Sequence, residues 1–248
     1  MTHSSFFFPF LAAVYAVAWI VFLRGGTPAA RRLVLFGALF NAVFLIRHSL
    51  IAGVFIANAL VDPVFFIPFM IAAVFFVVLR RGDLPRMTMN AAFILVIAAT
   101  LFAAFYPKGI IPPAPNKGGT WAFLFFLSEN CAYALFGMSA ALAAFCADDK
   151  RVTAVVRRLV ILGFLLFSMA QVTGAVWAFL GWGHPFMWGG RHLSSAAVWL
   201  IYIALIHMRY LPAFVIRERW VTLAGGLLAL YIVYSHLVLE MGIHRIGA

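Results

Sequence analysis

Between Thr173 and Arg209 the chain reads TGAVWAFLGWGHPFMWGGRHLSSAAVWLIYIALIHMR, two strongly apolar runs flanking a short segment with Trp182, His184, Trp188, Arg191 and His192. Neutral imidazole is a metal ligand and, near pH 7, a proton carrier. Indole adds a flat apolar face with a single N–H donor. Mixed at the point where apolar runs break off, these groups predict a surface suited to a flat, aromatic ligand. A plainer reading stands beside it. Trp177, Trp182, Trp188 and Trp199 also fit the aromatic belt of a membrane interface, and His184 and His192 also fit surface positions of an interfacial loop.

A second set lies near the C-terminus, where His236, Glu240 and His244 follow one another at i, i+4 and i+8 and so share one helical face. Such a ladder could bind a metal, ligate haem iron or relay protons. It could equally be a polar seam satisfied by neighbouring helices. Other polar groups within apolar runs are Asn41, Glu129, Gln171 and His207, with His48 near the end of another run. Groups of this kind are costly inside a bilayer and usually face the bundle interior.

Several chemistries are excluded. His and carboxylate residues are too sparse for metal transport and lack HExxH-type spacing. No Ser-His-Asp set can be ordered around a glycine elbow, so no residue is assigned a catalytic role. Cys131 and Cys146 are fifteen residues apart in one apolar run, about 22 Å along a helix, too far for a mutual disulfide. There is no CxxC motif, which argues against thiol redox chemistry and thiolate metal sites.

The elements that must position these residues are transmembrane helices. The chain is 66% hydrophobic and 10% charged, with a mean hydropathy of +1.06, far above the roughly 45–50% apolar share of soluble domains. Taking about 20 apolar residues per crossing, about eight spans can be placed, near 6–23, 33–56, 61–79, 90–106, 120–146, 155–180, 193–208 and 220–241. The breaks between them combine Gly, Pro or charge, and no repeat or long linker divides the chain. The expected architecture is one all-α bundle over residues 1–248. The start, MTHSSFFFPFLAAVYAVAWIVFLRGG, lacks a basic leader and a small-residue cleavage site and reads as the first span.

The net charge of +11 follows topology. Arg24, Arg31, Arg32, Arg80, Arg81, Arg86, Lys150, Arg151, Arg157, Arg158, Arg209, Arg217 and Arg219 fall in alternate connections, whereas the opposite ones hold Arg47, Lys108, Lys117, Arg191 and Arg245. Because Lys and Arg stay cytoplasmic, both termini, the Pro-rich segment 107–119 and the Trp/His segment are expected outside. Anionic membrane lipids are the expected partner of the basic face, and nucleic acid is not.

Three segments in order carry a family resemblance. RRLVILGFLLFSMAQVTGAVWAFLGWG resembles the helix entering the Trp-rich "WWD" segment of the CcsA/ResC type of cytochrome c assembly protein, related to CcmC and CcmF. AAVWLIYIALIHMR is similar to that family's next helix, and GIHRIG to its C-terminal Gly-Leu-His-Ser-Tyr-Gly. In the N-terminal half, RRLVLFGALFNAVFLIRHSLIAG is similar to its second helix. The resemblance implies haem as cofactor or cargo, held under the WWD surface by two outward histidines, with two more histidines within the membrane. Carried over, His207 matches the second membrane histidine and His244 the second outward one.

The chain also departs from that pattern. Phe40 and Asn41 stand where the first membrane histidine is expected, and Phe125 to Ser128 where the first outward one is expected. In place of Trp-Asp-Pro-Lys-Glu it has Trp188, Gly189, Gly190, Arg191 and His192, losing both carboxylates. His184 and His192 are then the candidate replacement ligands, with His48 or His236 as further ones. Arg191 suits a haem propionate, since guanidinium pairs bidentately with carboxylate, and Arg47 is a second candidate.

The expected function is haem handling in cytochrome c biogenesis, presenting haem at the outer face of a bacterial inner membrane for attachment to apocytochrome c. The resemblance implies a CcsB/ResB-like partner subunit. Two other readings stay open. One is a divergent structural or docking subunit without haem. The other is a quinone- or proton-linked membrane anchor using Glu129, Glu240 and His236.

Overall fold

The computed structural model describes residues 4–53, 63–80, 84–106, 119–144, 149–186, 188–208, 210 and 218–242. Eight α-helices make up the described chain: α1 (Ser4–Leu23), α2 (Thr27–Ala52), α3 (Pro63–Leu79), α4 (Arg86–Phe105), α5 (Thr120–Ala144), α6 (Lys150–Trp182), α7 (Gly190–Met208) and α8 (Glu218–Gly242). The all-α reading holds. By length and composition α1, α2, α4, α5 and α6 suffice to cross a membrane, while Val64–Leu79 and His192–Met208 are shorter apolar helices. Several apolar helices of this kind make a multi-pass membrane bundle.

The helix limits differ from the apolar runs in an understandable way. α2 begins six residues before the expected 33, with a proline in its first turn, where the missing N–H costs nothing. α6 begins at Lys150, five residues before the apolar run, because the Asp149 side chain accepts the Arg151 backbone N–H at 2.8 Å and caps the helix. The Arg151 side chain pairs with the same carboxylate at 3.2 Å, and these contacts hold the Asp149 carboxyl below the usual carboxylate range. Apolar runs mark what lipid or core can cover, whereas helices continue into polar first turns. α5 ends at Ala144, so Cys146 lies outside the described residues.

The bundle is organised around α5, which packs against α3, α4, α6 and α8. It is 78% buried across its apolar window, against 33% for α1, α2 and α6. With lipid on the outside there is no hydrophobic force between helices, and close van der Waals fit decides association. Gly226 of α8 supplies that fit. A Cβ there would overlap the Ala140 methyl and stand 2.9 Å from the Phe136 carbonyl oxygen. Next to this crossing the Phe136 and Tyr202 rings stack at 3.5 Å between centroids, tying α7 to α5.

Polar ties fix the end of the bundle where α5 finishes and α6 and α8 begin. Arg219 donates to the carbonyls of Ala143 and Ala144 at 3.0 and 2.5 Å, satisfying acceptors the α5 terminus leaves open. Arg157 forks onto Glu218 through bonds of 2.8 and 2.6 Å. The opposite end, where α6 meets α7, is held very differently.

Candidate functional site

α6 spans 33 residues, about 50 Å, longer than the roughly 30 Å hydrocarbon layer. It stops at Gly183, whose left-handed backbone (φ +75°) returns its N–H to the Phe179 carbonyl at 2.8 Å, a geometry glycine adopts without strain. After the segment 183–189 the chain turns back into α7. Trp199 of α7 donates its indole N–H to the Ser168 hydroxyl of α6 at 3.0 Å, which pins the register of the pair.

Above that bond the two helices part around a cavity of about 530 Å³, within the ~300–1,000 Å³ range of small-molecule sites. From α6 it is lined by Gln171, Gly174, Ala175, Trp177, Ala178 and Trp182. The remaining walls are Phe125 of α5, Pro185, Phe186 and Gly189 of the connection, and His192, Ser195 and Ala196 of α7. Trp177 stacks on Phe125 at 5.8 Å and 24° and meets Trp182 edge-on at 5.3 Å. Phe186 meets the His192 ring edge-on at 5.2 Å. Gly174 permits the Phe125 wall, since a Cβ there would lie 2.8 Å from that ring.

The polar groups of the lining are few and neutral in type. His192 offers an imidazole, Ser195 a hydroxyl on a residue 6% exposed, and Gln171 a carboxamide. The Gln171 Nε2 is buried and has no hydrogen-bond partner in the protein. Among the described residues, no Arg, Lys, Asp or Glu lines the cavity. Counting about 1.5 Å per residue from the Trp199–Ser168 bond, Gln171 sits roughly 6 Å deeper than His192.

The structure brings together only part of the expected platform. Trp182 and His192 line the cavity, whereas His184 and Trp188 are exposed and outside its lining, Trp188 being 84% exposed with its ring edge-on to Phe186 at 5.3 Å. His207 stands fifteen residues beyond His192 on α7, about 22 Å away and therefore at the other end of the bundle. It is exposed, and its Nδ1 lies 2.7 Å from the Ile203 carbonyl oxygen. A carbonyl can only accept, so Nδ1 is the donor of this bond and Nε2 is the nitrogen turned away from it. His48 and Arg47 belong to α2, which packs on α1 and α3 and contributes nothing to the lining. His244 lies outside the described residues, as do the side chains of Arg191, His236 and Glu240. Among the described residues, no three His, Cys, Asp or Glu side chains gather to hold a metal.

Phe125, Phe186 and Ser195 were not legible as site residues, and Gln171 was legible only as a polar group within an apolar run. A signal existed for α6. Gln171, Gly174, Ala175, Ala178 and Trp182 recur at i, i+3, i+4, i+7 and i+11, one stripe of small residues bounded by a carboxamide and an indole. Small residues along one stripe leave room for a ligand, which a search for chemically active side chains passes over.

No protein-family model matches the chain. Over 91 residues it is 28% identical to the cytochrome c biogenesis protein CcsA of Prochlorococcus marinus (strain MIT 9303), covering 36% of this chain and 29% of that protein. It is 31% identical over 91 residues to CcsA of Thermosynechococcus vestitus (strain NIES-2133 / IAM M-273 / BP-1), covering 36% and 28%, and 30% identical to CcsA of Synechococcus sp. (strain CC9311), covering 36% and 30%. The likeness thus spans under a third of the length of these relatives. Weak but repeated, it supports a CcsA-like family relation.

Proposed function

We propose that the chain is a CcsA-like membrane protein of cytochrome c biogenesis that holds haem, as cargo, in the cavity between α6 and α7. The single observation that carries this reading is the cavity of about 530 Å³ walled by Phe125, Trp177, Trp182 and Phe186 with the His192 imidazole in its lining. Stacked and edge-on aromatic walls suit a flat conjugated ring, and a neutral imidazole suits its iron. The aromatic walls suit haem chemically, and His192 would supply an imidazole to its iron.

In this reading eight spans place both termini outside and the cavity near the outer face of a bacterial inner membrane. His192 is the iron ligand, and Trp182 closes the mouth. Trp188, His184, Arg191 and His244 flank that mouth, with Arg191 directed to a propionate. His207, its Nε2 free at the inner end of α7, receives haem before it moves outward. Apocytochrome c and a CcsB/ResB-like subunit are the partners, and anionic lipids cover the basic end.

The test is the haem absorbance of purified protein. Wild type supplied with haem is expected to give a Soret band with an imidazole-ligated position. His192→Ala should lose that position and weaken binding at least tenfold, about 1.4 kcal/mol, while His207→Ala should leave the outer site intact. Absence of any Soret band in haem-supplied wild type defeats the reading. A docking subunit without cargo is then the better account.

A further inference from the structure

A second opening lies toward the other end of the bundle, between α7 and α8, and haem handling makes no use of it. Ile201 of α7 and Trp220, Val221, Ala224, Gly225 and Leu228 of α8 line a groove of about 530 Å³. It opens away from the bundle, since Trp220 is 63% exposed and Ala224 is exposed as well. Behind it the helices meet, because a Cβ on Gly225 would stand 3.3 Å from the Ile201 Cγ2 and 3.4 Å from the Tyr202 ring. The α6–α7 cavity has aromatic walls, whereas this groove is aliphatic except for the one indole at its end.

Length and charge decide which apolar body fits. Trp220 and Leu228 are eight residues apart on α8, about 12 Å, close to the depth of one leaflet of a hydrocarbon layer roughly 30 Å thick. A partner helix would follow the whole thickness, but an acyl chain ends within one leaflet. Trp220 suits the headgroup level, where indoles collect, and the Arg219 guanidinium lies over its ring at 5.3 Å from the centroid. That cation is held in place by the Ala143 and Ala144 carbonyls, which position its charge without neutralising it. In the sequence Arg209 directly follows α7, and Arg217 directly precedes Glu218, the first residue of α8. Glu218 is the one carboxylate between Arg209 and Arg219, and Arg157 already pairs with it. Positive charge is thus in excess at the end of an apolar groove one leaflet deep. From these facts we infer that the α7–α8 groove is a binding site for an anionic phospholipid, with an acyl chain laid along Ala224 and Gly225 and the phosphate beside Arg219.

This site rests on the membrane reading of the chain and not on haem. Detergent-purified full-length protein is titrated with dioleoylphosphatidylglycerol and with dioleoylphosphatidylcholine, which has the same chains under a headgroup of no net charge. Bound lipid is counted by native mass spectrometry. Wild type is expected to bind one phosphatidylglycerol at least tenfold more tightly than phosphatidylcholine, the effect of two nearby arginines on a phosphate.

Ala224→Phe puts a ring into the groove from an exposed position. It should weaken phosphatidylglycerol binding at least tenfold while the thermal midpoint without lipid stays at the wild-type value. Arg219→Gln keeps an amide donor for the α5 carbonyls and removes the charge, so the preference for phosphatidylglycerol should fall about fivefold with phosphatidylcholine binding unchanged. Equal binding of the two lipids by wild type overturns the inference, and so does a preference that either variant leaves intact. Competition by glycerol 1-phosphate as strong as that of the whole lipid assigns the charge to a free phosphate, and a dimer that Ala224→Phe dissociates assigns the groove to a second copy of the chain; each of these results also overturns it. A missing Soret band in haem-supplied protein defeats the haem reading and leaves the lipid site standing, whereas equal lipid binding does the reverse.

Discussion

The seam between α5 and α8 and the seam between α6 and α7 use the same residue type to opposite ends. At Gly226 of α8, and likewise at Gly163 of α6, the missing side chain lets a helix close on α5, with Ala140 and the Phe136 carbonyl against the first and the Phe136 ring against the second. At Gly181, Gly183 and Gly189 an added Cβ would meet nothing within 4 Å. One set of glycines lets helices close on α5, and the other stands at the α6–α7 end with open space beside it. The lesson is that rigidity is concentrated in α5 and its partners, so that the α6 and α7 pair can part around a cavity without loosening the bundle.

The strongest way to break that contrast is Gly226→Val. Its branched side chain would collide with the Ala140 methyl and with a helical carbonyl oxygen, and backbone cannot swing aside as a side chain does. Overpacking typically costs about 1–3 kcal/mol, and a backbone neighbour puts this case at the upper end, about 3 kcal/mol. The thermal midpoint in detergent should fall sharply. A midpoint unchanged from wild type would mean that α5 and α8 do not approach this closely.

Gly174→Val comes next. The new side chain meets the Phe125 ring, which can rotate away, so the stability cost should be smaller, about 1–2 kcal/mol. That ring is part of the cavity wall, so its displacement changes the cavity. Binding of a planar ligand should therefore weaken more than the protein is destabilised, a divergence read by comparing ligand titration with the thermal midpoint. Equal effects on both would place Phe125 in the packing alone.

Much of the scaffold was legible because it follows from periodicity and composition. Eight apolar segments became eight helices, each in the expected place, since long apolar runs have no other stable arrangement in lipid. The ends were less legible, because caps such as Asp149 and prolines in first turns lie outside the apolar run. In the site, Trp182 and His192 could be named from the sequence, but Trp188 and His184, beside them in the chain, are exposed and outside the cavity lining. Which side chains of a seven-residue connection line the cavity is set by the αL turn at Gly183 and the start of α7, not by residue type. Gln171 lay in plain view in the sequence, yet its meaning depends on an opening that only the spacing of α6 and α7 reveals.

A milder test addresses the floor of the cavity. Trp199→Phe removes the indole N–H that bonds Ser168 and keeps most of the ring that packs near Phe164. Loss of one such bond costs about 1 kcal/mol, so the fold should persist with a slightly lower midpoint. Because that bond pins α6 to α7 just below Gln171, the depth of the cavity should become less well defined. Fluorescence titration with a planar ligand should then show slightly weaker binding.

The smallest effect carries the most information, because its sign is reversed. Gly181 lies in the last turn of α6, exposed, with ordinary negative φ and open space where a Cβ would go. Alanine there meets no neighbour and lowers the entropy of the unfolded chain, which at a compatible site stabilises by about 0.4–1 kcal/mol. Near a helix end the gain should sit at the low side of that range. Gly181→Ala is thus expected to raise the midpoint slightly while Gly226→Val lowers it strongly, although both replace a helical glycine by a larger residue. If Gly181→Ala destabilises instead, this end of α6 touches something in the native membrane assembly.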